Sequence, residues 1–139
     1  MRRYIDTSVL TAVYTSEQAS LKAQKALQQC EPVISSLTRL EFASAVSKKH
    51  RMGSFSKEEA QGVLQLFSKH QHQGVFAWAE LNPSVWEVAM QWMSTLKTPL
   101  RTLDALHLAM ALHHDLTVLT ADHHMIQSAH LLGVDVESL

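Results

Sequence analysis

Four acidic side chains that could do metal chemistry are spread along the 139-residue chain, each beside a predicted element boundary. They are Asp6, Glu41, Asp104 and Asp122. If the fold brings them together, their charges repel one another unless a proton or a cation neutralises them. Oxygen-only ligands suit Mg²⁺ or Mn²⁺, which keep several waters and share the remaining positions with phosphate oxygens. One or two such ions can activate a water and stabilise the departing oxygen in phosphodiester hydrolysis.

Short strands alternate with helices along the chain. Apolar runs predict strands at residues 3–6, 33–34, 75–78, 117–120 and 134–136. Start signals predict helices that open near residues 7, 16, 38, 56, 82, 102 and 122, with Gly53 ending the third and leaving a helical hairpin. This alternation implies a short-stranded parallel sheet covered on both faces, and hence a three-layer α/β/α domain.

The predicted elements place the acids at one edge of the sheet. Asp6 ends the first strand, Asp122 follows the fourth, and Glu41 lies in the first turn of the helix after the second. Asp104 lies in the first turn of an apolar helix that leads into the fourth strand. Because ligands bind at the carboxyl ends of parallel strands, this edge is the expected site.

Each acid also has an ordinary local explanation. Glu41 completes a capping box that begins at Thr38, and Asp104 follows Thr102, a candidate N-cap. Asp6 and Asp122 are placed to stabilise helix N-termini, and such roles are worth about 1 kcal/mol or less each. No single acid therefore indicates chemistry, and the prediction rests on their convergence.

The composition bounds the class of protein. We expect one domain over residues 1–139, since hydrophobic residues make up 46% and charged residues 18% of the chain. The apolar run at residues 103–112 is shorter than the ~20 residues of a membrane span, and no secretory signal is recognisable. Cys30 is the single cysteine, which fits a reducing cytoplasm. The net charge of −1 gives no general argument for binding nucleic acid.

The motifs around the acids resemble those of PIN-domain endoribonucleases of the VapC toxin class. The resemblance is carried by residues 4–8 (YIDTS), Glu41, residues 101–109 (RTLDALHLA) and residues 119–122 (LTAD). It implies a PIN-like fold and a Mg²⁺- or Mn²⁺-dependent nuclease that cleaves RNA as the toxin of a type II toxin–antitoxin pair. It further implies a homodimer and a cognate antitoxin, which inhibits the nuclease because its tail occupies the groove of the active site.

The same resemblance implies roles for particular residues. The four acids would be the catalytic metal ligands, and Ser8 and Thr120 would be supporting polar groups near the metal. Many family members carry a further acid shortly after the position of Asp122, where this chain has His123, His124 and Met125. Because imidazole is a poorer ligand for Mg²⁺ than carboxylate, we expect a second metal site to be weak or absent.

Two basic side chains near Asp104 could contact RNA. Arg101 precedes Asp104 on the expected active edge, and His107 lies one turn beyond it. His107 has two interpretations: a contact to Asp104 or substrate, or a hydrogen-bonded histidine at the edge of the core. The remaining histidines lack the ligand spacing of a zinc site.

Two alternatives compete with a metal-dependent ribonuclease. A haloacid-dehalogenase-like phosphatase would use Asp6 as its nucleophile, but it requires a second acid where this chain has Ser8. A PIN-like domain could also bind RNA or a partner without cutting. The presence of all four expected acids argues against this alternative.

Overall fold

The protein is described by a computed structural model that covers residues 1–139 and contains five strands and seven helices. The strands are β1 (Arg2–Ile5), β2 (Glu31–Ile34), β3 (Ala77–Trp78), β4 (Thr117–Thr120) and β5 (Val136–Ser138). The helices are α1 (Thr7–Tyr14), α2 (Ser20–Gln28), α3 (Ser36–Arg51), α4 (Lys57–His72), α5 (Pro83–Ser94), α6 (Thr102–His113) and α7 (His123–Leu132).

The strands form one parallel sheet in the order β3-β2-β1-β4-β5. Ile5 at the end of β1 is in register with Leu119 on β4. The strand order reverses between β1 and β4, because β2 and β3 lie on one side of this pair and β5 on the other. Such a reversal opens a crevice at the carboxyl ends of the strands.

Hydrophobic clusters cover both faces of the sheet. Tyr4 belongs to a cluster of 18 buried residues that takes in α5, α6 and α7. The next residue, Ile5, belongs to a cluster of 12 buried residues that takes in α1, α3 and α4. Neighbouring strand residues point to opposite faces, so the two clusters confirm the predicted three-layer α/β/α architecture.

Helix α6 is buried almost all round, as its apolar sequence predicts. Every residue from Ala105 to Ala111 is buried, including His107. The helix runs from the carboxyl edge of the sheet towards the start of β4, which places Asp104, in its first turn, at that edge. None of the helices combines the length and apolar character that a membrane crossing needs.

The start of α3 differs from the prediction. The helix begins at Ser36, and the capping box is formed by Ser35 and Thr38 rather than by Thr38 and Glu41. Both pairs have the required spacing, but Ser35 directly follows β2 and its cap is buried, so the helix starts there. The prediction that Glu41 completes a capping box in the first turn was wrong, because this residue lies in the second turn of α3.

Several other boundaries also differ. Thr102 is the first helical residue of α6 and Arg101 takes the N-cap position, without a side-chain cap bond. Strand β5 starts at Val136 rather than at Val134, because the Val134 N–H still donates to the Ala129 carbonyl and closes α7 beside Gly133. Helix α2 begins at Ser20 rather than near residue 16, whereas α1 begins at Thr7 and the hairpin of α3 and α4 is present as predicted.

Candidate metal centre

Asp6 is held by two hydroxyl groups at the junction of β1 and α1. Its Oδ2 accepts hydrogen bonds from Ser8 Oγ at 2.6 Å and from Thr120 Oγ1 at 2.8 Å. Ser8 Oγ accepts from the Ala121 N–H, and Thr120 Oγ1 accepts from the Asp122 N–H, both at 3.0 Å. The two hydroxyls therefore join Asp6 to the loop after β4.

The Glu41 carboxylate forms a hydrogen bond with a buried histidine on α6. His107 Nε2 hydrogen-bonds Glu41 Oε1, and the Glu41 side chain is 25% exposed while that of His107 is fully buried. The other ring nitrogen of His107 lies 2.7 Å from the Tyr4 hydroxyl. Burial raises the pKa of Tyr4, so this hydroxyl keeps its proton at neutral pH.

Asp104 lies close enough to the other three acids for their charges to affect it. It is half-buried in the first turn of α6, and its carboxylate accepts no side-chain hydrogen bond. Burial raises the pKa of Asp104, and the nearby charges of Asp6, Glu41 and Asp122 raise it further, while His107 lowers it. The fold therefore brings all four predicted acids within electrostatic reach of one another.

Asp122 is the N-cap of α7. Its Oδ1 accepts a hydrogen bond from the His124 N–H at 2.8 Å, as its predicted capping role requires. The cap leaves the carboxylate half-buried at the same edge of the sheet. Helix capping and membership of the acidic cluster are compatible in this residue.

A cavity of about 770 Å³ lies over the acidic edge. Glu41, Asp104 and Asp122 contribute to its lining, together with exposed Arg101. His107 does not line the cavity, and its fully buried ring fits the hydrogen-bonded histidine better than a substrate contact. The cavity therefore gives access from solvent to Glu41, Asp104 and Asp122, whereas Asp6 is not part of its lining.

The four acids suit a hard divalent cation in their chemistry. All four offer oxygen ligands, and the repulsion felt by Asp104 is of the kind that a cation relieves. As they stand, no three or more His, Cys, Asp or Glu side chains are arranged to hold a metal ion. Binding would therefore require movements of these side chains.

Comparison with known proteins identifies the family. The sequence profile of the PIN domain matches residues 3–131. The chain belongs to the PIN-domain family. Comparison with curated proteins gives no significant match.

Solved structures share the fold of this PIN domain. It is similar to VapBC2 from Rickettsia felis, bound to a promoter DNA fragment, with a TM-score of 0.71, 16% identity and coverage of 99% of this chain and 98% of that one. It is also similar to VapC20 of Mycobacterium tuberculosis, a sarcin-ricin loop cleaving toxin (TM-score 0.71, 13% identity, 92% and 95% covered). VapBC-1 from nontypeable Haemophilus influenzae gives a TM-score of 0.68 at 17% identity, with 99% and 98% covered.

Sequence reasoning missed the groups behind Glu41 in this PIN domain. The Tyr4 hydroxyl oxygen lies 2.8 Å from Ser35 Oγ and 3.4 Å from Thr38 Oγ1, and all three side chains are buried. A tyrosine in a buried strand requires a partner for its hydroxyl, and this was the available signal. The partner His107, 103 residues away in sequence, could not be identified from local spacing.

Proposed function

We propose that this PIN domain is a metal-dependent endoribonuclease and the toxin of a type II toxin–antitoxin pair. The observation that carries the proposal is that Asp104 lies close enough to Asp6, Glu41 and Asp122 for their charges to act on it, beside a cavity lined by Glu41, Asp104 and Asp122. An acidic cluster of this kind is costly to keep, and a bound cation would offset the cost.

Each acid has a role in the proposed site. Asp6, Glu41, Asp104 and Asp122 would hold Mg²⁺ or Mn²⁺ through their carboxylate oxygens. When bound, the ion would supply activation of a water and stabilisation of charge on the departing oxygen. In separate supporting roles, Ser8 and Thr120 would keep the Asp6 carboxylate in place through their hydroxyl groups.

The substrate that fits this site is RNA. Arg101 is exposed on the cavity lining, three residues before Asp104, where its guanidinium would pair with a backbone phosphate. VapC20, a sarcin-ricin loop cleaving toxin that shares the fold, favours the same class of substrate. His107 is not part of the proposed RNA contact, because its ring is fully buried.

A cognate antitoxin is part of the proposal. The similar structures include VapBC assemblies and the FitAB complex, in which a protein of this fold is described together with a partner. The proposal also includes a homodimer, which the resemblance to VapC toxins implies, and a cytoplasmic location, where RNA and antitoxin would be met.

Sequencing of RNA ends after a brief pulse of expression in bacteria tests the proposal. We expect wild-type expression to create new ends at defined sites and to slow growth, and Asp6→Asn to do neither. Thermal unfolding of purified Asp6→Asn checks that this variant folds. Equal growth inhibition by both proteins would exclude this site as the cause of toxicity. Growth inhibition without new RNA ends would favour the non-catalytic alternative.

A further inference from the structure

A buried chain of hydrogen bonds stands behind Glu41. It runs from Ser35 Oγ to the Tyr4 hydroxyl at 2.8 Å, from that hydroxyl to His107 Nδ1 at 2.7 Å, and from His107 Nε2 to Glu41. Ser35, Tyr4 and His107 have no exposed surface. The chain thus joins α3, β1 and α6 and ends at an acid on the cavity lining.

The direction of the hydrogen bonds follows from the groups themselves. If Glu41 is ionised and His107 is neutral, the carboxylate only accepts, so the imidazole proton is on Nε2. Nδ1 of His107 is then an acceptor, and the Tyr4 hydroxyl must donate to it. The Tyr4 oxygen in turn accepts from the Ser35 hydroxyl. Every group has one consistent role, and the ring is fixed in one tautomer and one orientation.

A single hydrogen bond, from His107, holds the Glu41 carboxylate, whereas Asp6 and Asp122 have firmer contacts. Asp6 accepts from two hydroxyl groups, and Asp122 is fixed by a backbone N–H. Glu41 has a longer side chain, and His107 is its only hydrogen-bond partner. Without His107, the carboxylate would sample several rotamers at the cavity wall.

We infer that His107 is a positioning residue that orients the Glu41 carboxylate for metal binding, and that Tyr4 fixes the required tautomer of His107. The inference rests on the proposed function, because it assigns to Glu41 the role of a metal ligand. A residue that orients a metal ligand changes metal affinity when it is removed, typically about 10–100-fold. Its effect can therefore be measured by binding alone, without nuclease activity.

Calorimetric titration of the purified chain with Mn²⁺ tests the inference. We expect His107→Ala to weaken Mn²⁺ binding about 10–100-fold. His107→Gln places an amide N–H donor near the position of Nε2, so this variant should recover much of the lost affinity. Tyr4→Phe keeps the ring and removes one hydrogen bond, which should weaken binding about 3–10-fold.

The protein contains a matched control for Tyr4→Phe. Tyr14 lies 2.6 Å from Nδ1 of His70 in a second tyrosine–histidine pair, and no carboxylate hydrogen-bonds to that ring. Tyr14→Phe removes the same hydroxyl from the same kind of pair, so Mn²⁺ affinity should stay at the wild-type value. Equal losses in Tyr4→Phe and Tyr14→Phe would reduce the effect to general destabilisation and overturn the inference.

Nitrogen NMR of the histidine rings provides a second measurement. We expect the wild type to show His107 with a protonated Nε2 and an unprotonated Nδ1, and the opposite tautomer would overturn the inference. If His107→Ala fails to fold, Tyr4→Phe decides. Wild-type Mn²⁺ affinity in Tyr4→Phe would overturn the inference and leave the proposed function standing. Absence of Mn²⁺ binding by the wild type would overturn the proposed function together with the inference.

Discussion

Two tyrosine–histidine pairs in this PIN domain have nearly the same geometry. The hydroxyl–Nδ1 distance is 2.7 Å between Tyr4 and His107 and 2.6 Å between Tyr14 and His70. The ring centroids are 5.6 Å apart in the first pair and 5.5 Å in the second. The pairs differ in burial and in what the second ring nitrogen meets. Nε2 of His107 hydrogen-bonds Glu41, whereas Nε2 of His70 has no hydrogen-bond partner within the chain.

The difference shows how one local contact can have two uses. The Tyr14 ring packs against Phe42 and Phe67, so its pair joins α1 to the hairpin of α3 and α4. The Tyr4 pair is fully buried and continues to the acidic edge. A tyrosine–histidine hydrogen bond is structural in the first setting. In the second it also determines the position of a carboxylate.

The largest expected effect comes from Asp104, whose pKa is raised by burial and by the charges of the other three acids. Asp104→Asn removes the charge of a proposed metal ligand, so we expect the Mn²⁺ affinity to fall by more than about 100-fold, the upper end of the loss caused by removing a ligand's supporting partner. Calorimetry measures the affinity. Thermal unfolding without metal should show Asp104→Asn no less stable than the wild type, because the substitution also relieves repulsion.

Glu58→Gln is the matched control for Asp104→Asn. Glu58 is likewise an acid in the first turn of a helix, but it is exposed on α4, in the hairpin region with the Tyr14 pair. Neutralising it should leave Mn²⁺ affinity unchanged. If Glu58→Gln and Asp104→Asn had equal effects on Mn²⁺ binding, the acidic edge would not differ from the rest of the surface.

The second expected effect is a difference in stability between the two tyrosine variants. Tyr4→Phe leaves His107 Nδ1 without its donor in a fully buried setting, which should cost about 1–3 kcal/mol. Tyr14→Phe leaves a half-buried histidine that water can reach, and the cost should be about 0.5–1.5 kcal/mol. Urea unfolding of both variants measures the free energies. A larger loss in Tyr14→Phe would contradict the comparison.

The two pairs also show what can and what cannot be predicted from the sequence. Local patterns predicted the parallel sheet, the buried α6 and the convergence of the acids, because each follows from periodicity or from strand ends. They misplaced Glu41, since two overlapping cap signals competed at the start of α3 and spacing cannot rank them. The link from Tyr4 to His107 joins residues far apart in sequence, so no local pattern contains it.

The smallest expected effect concerns RNA binding at the cavity. Arg101→Gln should lower RNA affinity a few-fold and reduce the salt slope of binding by about one, because one phosphate contact is lost. Fluorescence anisotropy with a short RNA at several salt concentrations measures both, in Ca²⁺ or in the Asp6→Asn background so that the RNA stays intact. Mn²⁺ affinity should not change, since Arg101 binds none of the four acids. Arg51→Gln, at the exposed end of α3, removes an equal charge in the hairpin region. A larger loss of RNA affinity in Arg51→Gln would place the RNA on the hairpin rather than over the acidic edge.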